Sequence, residues 1–206
     1  MKQILAQTQL YRFLKYCNES HLEKSVLDCG AGGNCPPLAL FSEYGYKTHG
    51  IEINDTQIEK ANTFSKECGL ELNIIKGDMR KLPFDNESIS HIYSYNSIFH
   101  MKKVDIEKAV DEIIRVLKPG GMCCINFLSI HDSWYGEGEK IGENEFLQVE
   151  RDEKVIHTYY DIDEAESHFK DMEILFKENR ILERMYEGEK IKQGYIDYIV
   201  QKKKLD

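Results

Sequence analysis

A short apolar run that ends in a cluster of glycines constrains this chain more than any other feature. Residues 25–29 are apolar enough for a buried strand, and Gly30, Gly32 and Gly33 follow at once. Glycines in that place let the backbone approach a ligand, and they present amide groups near the start of a helix. The adjacent prolines at positions 36 and 37 suit the first turn of that helix. The segment therefore predicts a strand, a ligand-binding loop and a helix in succession.

The alternation of strand and helix continues along the chain. An amphipathic helix is predicted over residues 4–18, ahead of the first strand. Further strands are predicted at residues 46–53, 70–75, 89–95 and 122–129. Helices are predicted at residues 36–44, 55–68 (capped by Asp55 or Thr56 and ended by Gly69) and 105–117, and residues 118–121 form a turn. Short connections between alternating elements predict an α/β fold with a doubly wound, mainly parallel seven-stranded sheet and helices on both faces.

The last third of the chain is patterned differently. Residues 130–153 are polar and contain glycine, which favours an excursion over the functional site. A short helix is predicted at 162–169, followed by strands at 172–182 and 190–200. Gly188 marks the turn between those strands, and Gly194 is expected to break their register. The chain is therefore expected to close with an antiparallel hairpin.

The side chains around the glycine loop indicate which ligand it binds. A dinucleotide-binding loop has a third glycine three residues after the second one, and this chain has Cys35 there. The loop also carries an acid, Asp28, two residues before its first glycine. A carboxylate is unfavourable beside a pyrophosphate but favourable beside an ammonium group. The pattern thus favours a ligand with a positive charge over NAD or FAD.

At this point the chain resembles the class I S-adenosylmethionine-dependent methyltransferases. Their first motif has the form acid-x-Gly-x-Gly, which Asp28, Gly30 and Gly32 match, while Asn34 stands where many members have another glycine. The resemblance continues at residues 50–53 and 77–79, at the tyrosine-asparagine-serine sequence 95–97, and at residues 115–121. It covers residues 25–129 and implies S-adenosylmethionine as the cofactor.

The resemblance implies a role for each motif residue. Asp28 and the two glycines belong to the cofactor loop, and Glu52 accepts hydrogen bonds from both ribose hydroxyls. Asp78 accepts from the adenine amino group, and Asn96 orients the methionine amino group. The predicted cofactor site therefore consists of Asp28, Gly30, Gly32, Glu52, Ile53, Asp78, Met79 and Asn96.

The acceptor side of the site is less defined by sequence. Methyl transfer from a sulfonium depends on alignment and desolvation, so a dedicated catalytic residue is not obligatory. If the acceptor has a proton to lose, His100 is the best placed base, because it follows the fourth strand by a few residues. The predicted acceptor pocket contains Tyr11, Trp134, His131 and His157, with Tyr159 and Tyr160 as further possibilities.

The net charge and the cysteine content indicate which classes of partner and compartment suit this chain. The net charge of −9 disfavours a nucleic acid and favours a small-molecule acceptor. Six cysteines without a secretory leader favour reduced thiols in the cytoplasm, and no cysteine or histidine spacing indicates a metal site. No run is long enough to predict a membrane span, and oligomeric state is left open. The expectation is one domain over residues 1–206, with a helix at 1–20, a cofactor core at 25–129 and a lid with closing strands at 130–206.

Two other functions are compatible with such a sheet. The first is a nucleotide-binding oxidoreductase, which Asp28 and Cys35 disfavour. The second is a noncatalytic protein that binds S-adenosylmethionine, which the sequence leaves open because no acceptor site is identified.

Overall fold

The first described element is a helix that packs on the body of the molecule. The computed structural model describes residues 8–150, 152–186 and 188–204. Helix α1 (Thr8–Glu19) buries Leu10, Phe13, Leu14 and Cys17, which share one face at helical spacing. The predicted helix is confirmed from Thr8 onward, whereas positions 4–7 lie outside the described residues.

A parallel sheet forms the centre of the fold. Its strands are β1 (Ser25–Cys29), β2 (Lys47–Glu52), β3 (Ile74–Lys76), β4 (Ile89–Ser94) and β5 (Leu117–Ser129). They lie in the order β3-β2-β1-β4-β5, and each neighbouring pair is parallel. The strand order reverses beside β1, and ligands of open α/β sheets bind at the carboxyl ends of the strands there. A ligand is therefore expected beside the residues that follow β1, β2 and β4.

Helices cover both faces of this sheet, as predicted. The remaining helices are α2 (Leu38–Glu43), α3 (Asp55–Cys68) and α4 (Lys103–Val116). One apolar core joins α1, α2 and α3 to the sheet through Phe13, Phe41 and Phe64. A second core joins α4 to it through Ile106 and Val110. Because the sheet is covered on both sides, all five residues of β1 are buried.

Several predicted boundaries were wrong for local reasons. The cap of α3 is Asn54, one residue before the predicted pair, and its side chain accepts from the Gln57 amide at 3.2 Å. Gly69 ends that helix with a φ of 66°, as predicted. Helix α4 begins two residues earlier than predicted, at Lys103. The predicted turn at 118–121 lies within β5, where Gly120 has a φ of 76°.

The polar stretch after β5 and the residues that follow it contain three strands that the sequence did not predict. They are β6 (Glu139–Gly142), β7 (Glu145–Glu150) and β8 (Glu153–Tyr160), joined as an antiparallel meander. The end of β8 pairs with the end of β5, with Tyr159 opposite Leu128. Strand β4 pairs with β5 only as far as Ile125, so β8 extends the same edge of β5 beyond β4. The meander therefore stands above the carboxyl end of β4.

A long antiparallel hairpin closes the sheet, as predicted. It consists of β9 (Met172–Tyr186) and β10 (Glu189–Lys202), and β10 pairs with β5. Gly194 does not break the register as expected, because it lies opposite Ile181 in a continuous ladder and the irregularity falls at Ile199 and Val200. The short helix before the hairpin is a 3₁₀ helix, Glu164–Phe169. The seven predicted strands are thus present, together with the three of the meander.

No helix within the described ranges has both the length and the apolar character that crossing a bilayer requires.

Candidate functional site

The glycine loop after β1 is tied to its neighbours on two sides. The amide of Gly30 donates to the carbonyl of Ile51 in β2 at 2.8 Å, and the amide of Ala31 donates to the same oxygen at 3.1 Å. Gly30 has a φ of 97°, and a Cβ there would lie 2.1 Å from the Oγ of Ser97. A side chain at this position is therefore excluded by both conformation and space. The loop backbone lies directly against the residues that follow β4.

Asp28 carries the least satisfied carboxylate near this loop. It is 2% exposed, and its Oδ2 is buried and has no hydrogen-bond partner among the described residues. Burial, followed by the nearby charge of Glu52, raises the pKa of Asp28 to about 8. A buried carboxylate without a partner is costly, and a ligand with a cationic group would relieve that cost. The residue thus fits the positively charged ligand that the sequence indicated.

Glu52 is held at the end of β2 by two backbone amides. Its Oε2 accepts from the Gly32 amide at 3.2 Å, and its Oε1 accepts from the Asn54 amide at 2.9 Å. Each carboxylate oxygen accepts more than one hydrogen bond, so both oxygens retain capacity for a vicinal diol. A Cβ at Gly32 would lie 2.8 Å from Oε2, which explains the second glycine of the motif. The structure therefore brings Glu52 to the loop in a fixed orientation.

Asp78 lies in the loop after β3 and already has a cationic partner. Arg80 donates to both of its carboxylate oxygens, with the Nη2 to Oδ2 distance at 2.6 Å, and holds the pKa of Asp78 below its usual value. Arg80 also contacts Asp105 of α4 at 3.3 Å. An amino group bound by Asp78 would share the carboxylate with Arg80. The sequence did not predict this contact between Arg80 and Asp78. Two further predicted cofactor residues follow the acids directly: Met79, after Asp78, packs against the apolar core, and Ile53, after Glu52, is 61% exposed.

Asn96 adopts a strained backbone at the end of β4. Its φ is 55°, and its backbone amide donates to Oδ1 of the buried Asn126 at 2.7 Å. The side-chain amide of Asn126 donates in turn to Oδ1 of Asn96 at 2.9 Å. The two asparagines therefore fix each other, and the free N–H groups of Asn96 and one lone pair remain for a ligand. Asn126 was not predicted, because an asparagine inside an apolar strand has no distinctive spacing.

His100 lies at the end of the 3₁₀ helix that follows β4, Ile98–His100. Its ring centroid is 4.9 Å from that of His157 in β8. The Nδ1 atoms of both rings are buried, and neither has a hydrogen-bond partner in the part of the chain that the structure describes. Burial, followed by the neighbouring imidazole, lowers the pKa of His100 to about 4, so its ring is neutral at pH 7. The structure therefore brings together two of the histidines that the sequence indicated separately.

The other predicted acceptor residues are more dispersed. Trp134 and His131 lie in the turns after β5, where their amides donate to Asp132 and Ser129. Trp134 and Tyr11 of α1 are both partly exposed, at 39% and 42%. Tyr159 and Tyr160 are buried, and their hydroxyl groups contact Gln148 and His168. The two tyrosines therefore have structural partners within the protein.

A buried polar cluster joins the closing hairpin to the end of β4. Tyr95 donates to Asp197 of β10 at 3.1 Å, and Arg180 of β9 donates to the same carboxylate at 2.9 Å. Arg180 also donates to the Tyr95 hydroxyl at 2.5 Å. Sequence reasoning missed this cluster, because Tyr95 lies 102 positions from Asp197. The cluster fixes the residue immediately before Asn96.

A cavity of about 410 Å³ lies between the glycine loop and the outer face of α3. Asn34 lines it together with residues of that helix, and Asp28, Glu52 and Asp78 do not. It is therefore separate from the predicted cofactor residues.

Comparisons with known proteins concern the sequence of the central sheet and the fold of the chain. Residues 27–125 match the family model of the methyltransferase domain. The sterol 24-C-methyltransferase of Pneumocystis carinii is 39% identical over 103 residues, which are 48% of this chain and 26% of that protein. The corresponding enzyme of Debaryomyces hansenii is 30% identical over 132 residues, which are 62% of this chain and 34% of that protein. The chain thus matches only about a quarter to a third of these relatives' length.

Solved structures show the same fold over nearly the whole chain. A structure of S-adenosylmethionine-dependent methyltransferases from Methanosarcina mazei has a TM-score of 0.75 at 22% identity, covering 93% of this chain and 98% of that one. TehB from Haemophilus influenzae has a TM-score of 0.72 at 15% identity, covering 98% and 64%. Residues 27–125 therefore resemble the methyltransferase domain, and the chain shares its fold with solved S-adenosylmethionine-dependent methyltransferases.

Proposed function

We propose that this protein transfers the methyl group of S-adenosylmethionine to a small-molecule acceptor. The observation that carries the proposal is the pair of carboxylates at the ends of adjacent strands, Asp28 and Glu52. One is buried with an unpartnered oxygen, and the other is held against the loop by the Gly32 amide. A cation-bearing nucleoside fits this pair, whereas the pyrophosphate of a dinucleotide would be repelled.

Different residues would bind different parts of S-adenosylmethionine. Glu52 would accept from the ribose hydroxyls, Asp78 and the Met79 amide would receive the adenine, and Asp28 and Asn96 would hold the charged methionine end. When bound, the cofactor supplies an electrophilic methyl group on a sulfonium. Alignment of that group and exclusion of water then provide most of the acceleration.

The acceptor end of the site is proposed above β4. The meander β6–β8 stands over that edge, and the pair His100 and His157 lies between the meander and the turn after β4. Neutral imidazoles accept protons, so this pair is suited to an acceptor whose proton must leave. The sequence indicated His100 as a candidate base and His157 as a candidate residue of the acceptor pocket.

A small-molecule acceptor has two sources of support. The relatives named as sterol methyltransferases act on small molecules, although they match this chain over about half its length and the identity of their substrate is not extended to it. The net charge of −9 disfavours nucleic acid. A cytoplasmic location is part of the proposal, supported by six thiols that a reducing compartment preserves. A single domain is also proposed, since β10 pairs with β5 of the cofactor core.

The proposal is tested in two steps with the whole chain. Calorimetry measures the binding of S-adenosylmethionine and, as the matched alternative, of NAD. Binding of NAD instead would make the protein an oxidoreductase candidate and overturn the proposal. A radiolabelled methyl donor is then incubated with a panel of small alcohols, thiols and amines. Tight cofactor binding without label transfer to any of them would favour the noncatalytic function.

A further inference from the structure

The meander is attached to the turn after β4 at three points. Thr158 donates through its hydroxyl to the carbonyl of Met101 at 2.6 Å, and Glu145 accepts from the Lys103 amide at 2.6 Å. Between these two contacts, the ring of His157 packs edge-on against the ring of His100. Because short hydrogen bonds flank the two rings, their relative position is fixed. The meander thus carries side chains to a defined place beside the proposed acceptor site.

One of these rings has a carboxylate partner. The Nε2 of His157 lies 3.1 Å from Oε1 of Glu150, which is on the neighbouring strand β7. A carboxylate accepts a hydrogen bond, so the proton of the neutral ring is held on Nε2 and the lone pair is left on Nδ1. That Nδ1 is buried and has no hydrogen-bond partner. This arrangement is the one by which a third group orients a general base.

Ionisable and aromatic side chains surround the ring of His157. The groups that face His157 are Glu150, Asp132, His100 and Tyr159. Burial lowers the pKa of His157, and the carboxylates of Glu150 and Asp132 oppose that effect. The carboxylate of Glu150 therefore stabilises a protonated His157 directly, through the 3.1 Å contact.

The solvent side of the pair is open. The Glu150 side chain is 55% exposed, whereas the His157 side chain is 6% exposed. A proton that the buried ring of His157 takes up can therefore pass to solvent beside the hydrated carboxylate of Glu150. An unpartnered buried nitrogen is ordinarily destabilising, so one that is retained calls for a functional explanation.

We propose that Glu150 and His157 form the proton-accepting dyad of the methyl transfer, with His157 as the base and Glu150 as its positioning residue. The proposal rests on the proposed function and specifies an acceptor with a removable proton on oxygen, nitrogen or sulfur. The acceptor atom forms a bond to the methyl carbon as the carbon–sulfur bond breaks, and that electron pair returns to sulfur. The proton of the acceptor atom passes to Nδ1 of His157, and the resulting imidazolium is stabilised by Glu150.

The test compares Glu150→Gln with a matched control, Glu153→Gln. Glu153 pairs with Glu150 across the strands and is exposed, so the two variants lose the same charge in the same place on the surface. Nitrogen-15 spectra of the imidazoles are recorded against pH with S-adenosylhomocysteine present. The expected result is a proton on Nε2 of His157 and a lower His157 pKa in Glu150→Gln but not in Glu153→Gln. A proton on Nδ1, or equal His157 pKa values in the two variants, would overturn the dyad without any acceptor being known.

Turnover with an acceptor from the alcohol, thiol and amine panel provides the catalytic test. A lost positioning residue should reduce kcat about 10- to 100-fold near pH 7 and shift the acid limb of its pH profile, while the KM for S-adenosylmethionine stays unchanged. Glu153→Gln should match the parent. An unchanged pH profile in Glu150→Gln would overturn the proposal. Retained activity in His157→Gln would overturn it as well. Failure of the parent to bind S-adenosylmethionine would instead refute the proposed function.

Discussion

The Glu52 carboxylate accepts a hydrogen bond from the Gly32 amide at 3.2 Å, so the end of β2 is joined to the ligand loop after β1. The same carboxylate accepts from the Asn54 amide at 2.9 Å. The side chain is therefore ordered before a ligand arrives, which lowers the entropy cost of binding.

Glu52→Gln should weaken S-adenosylmethionine binding about 10- to 150-fold, because a charged acceptor for two hydroxyl groups contributes roughly 1.5–3 kcal/mol. Calorimetry on folded protein measures the change. Glu59→Gln, on the exposed face of α3, is the control and should bind like the parent. Equal affinity of the Glu52 variant and the parent would remove Glu52 from the cofactor site.

Asp28→Asn should stabilise the protein while weakening cofactor binding. The folded-state pKa of about 8 lies above the usual 3.8, so this carboxyl favours the folded state less and less as pH rises from 3.8 to 8. Its replacement should add about 2–4 kcal/mol at pH 8, which corresponds to roughly 5–15 °C in Tm. Thermal unfolding without ligand measures the gain, and calorimetry measures the loss of affinity. A variant that is less stable at pH 8 would contradict the buried, unpartnered state of Asp28.

The placement of the predicted cofactor residues near strand ends was predictable from sequence, whereas their role in binding stays a prediction. Asp28, Glu52 and Asn96 depend on strand ends that apolar runs mark, and parallel pairing then brings them to one edge. Asn126 was not predictable, because its partner Asn96 lies 30 positions away. Arg80 was missed although it lies two positions from its partner Asp78.

The meander β6–β8 was missed for a different reason. Its strands alternate weakly and have polar flanks, and no residue of β6 is buried, so period-two patterning is faint. The pairing of His157 with His100 depends on this meander. The contact between His157 and His100 therefore could not be predicted from sequence, whereas the strand ends that carry Asp28, Glu52 and Asn96 could.

Gly30→Ala should abolish cofactor binding and destabilise the loop. The new Cβ would lie 2.1 Å from Oγ of Ser97, in a backbone with a φ of 97°. Gly45→Ala is the matched control, because its φ is 77° and nothing lies within 4 Å of its Cβ. The control should lose only about 1 kcal/mol for left-handed strain, and chemical unfolding of both variants separates strain from clash. Equal losses in the two variants would show that Ser97 yields freely.

His91 should make the protein sensitive to acid. Its side chain is fully buried beside Phe13 and Tyr46, neither ring nitrogen has a partner, and burial lowers its pKa to about 4. The unfolded chain binds the proton near pH 6.5, so stability is complete above that pH and falls as pH decreases toward 4. His91→Phe should remove up to about 3 kcal/mol of this pH dependence. The measurement is urea unfolding at pH 7 and 4.5, with the exposed His21→Gln as control. If the free energy of unfolding of His91→Phe fell between pH 7 and 4.5 as much as that of the parent, the prediction would be wrong.

Arg180→Met should be more destabilising than the double variant Arg180→Met with Asp197→Asn. Arg180 is paired with the carboxylate of Asp197, whose side chain is 3% exposed, at 2.9 Å. Removal of one partner leaves a buried charge and costs about 3–5 kcal/mol, whereas removal of both charges leaves a neutral amide that still accepts from Tyr95. Urea unfolding of the two single variants and the double variant gives the coupling energy. Additive losses would mean that the ion pair is not desolvated. Because Tyr95 precedes Asn96, cofactor affinity should fall in Arg180→Met and recover in part in the double variant.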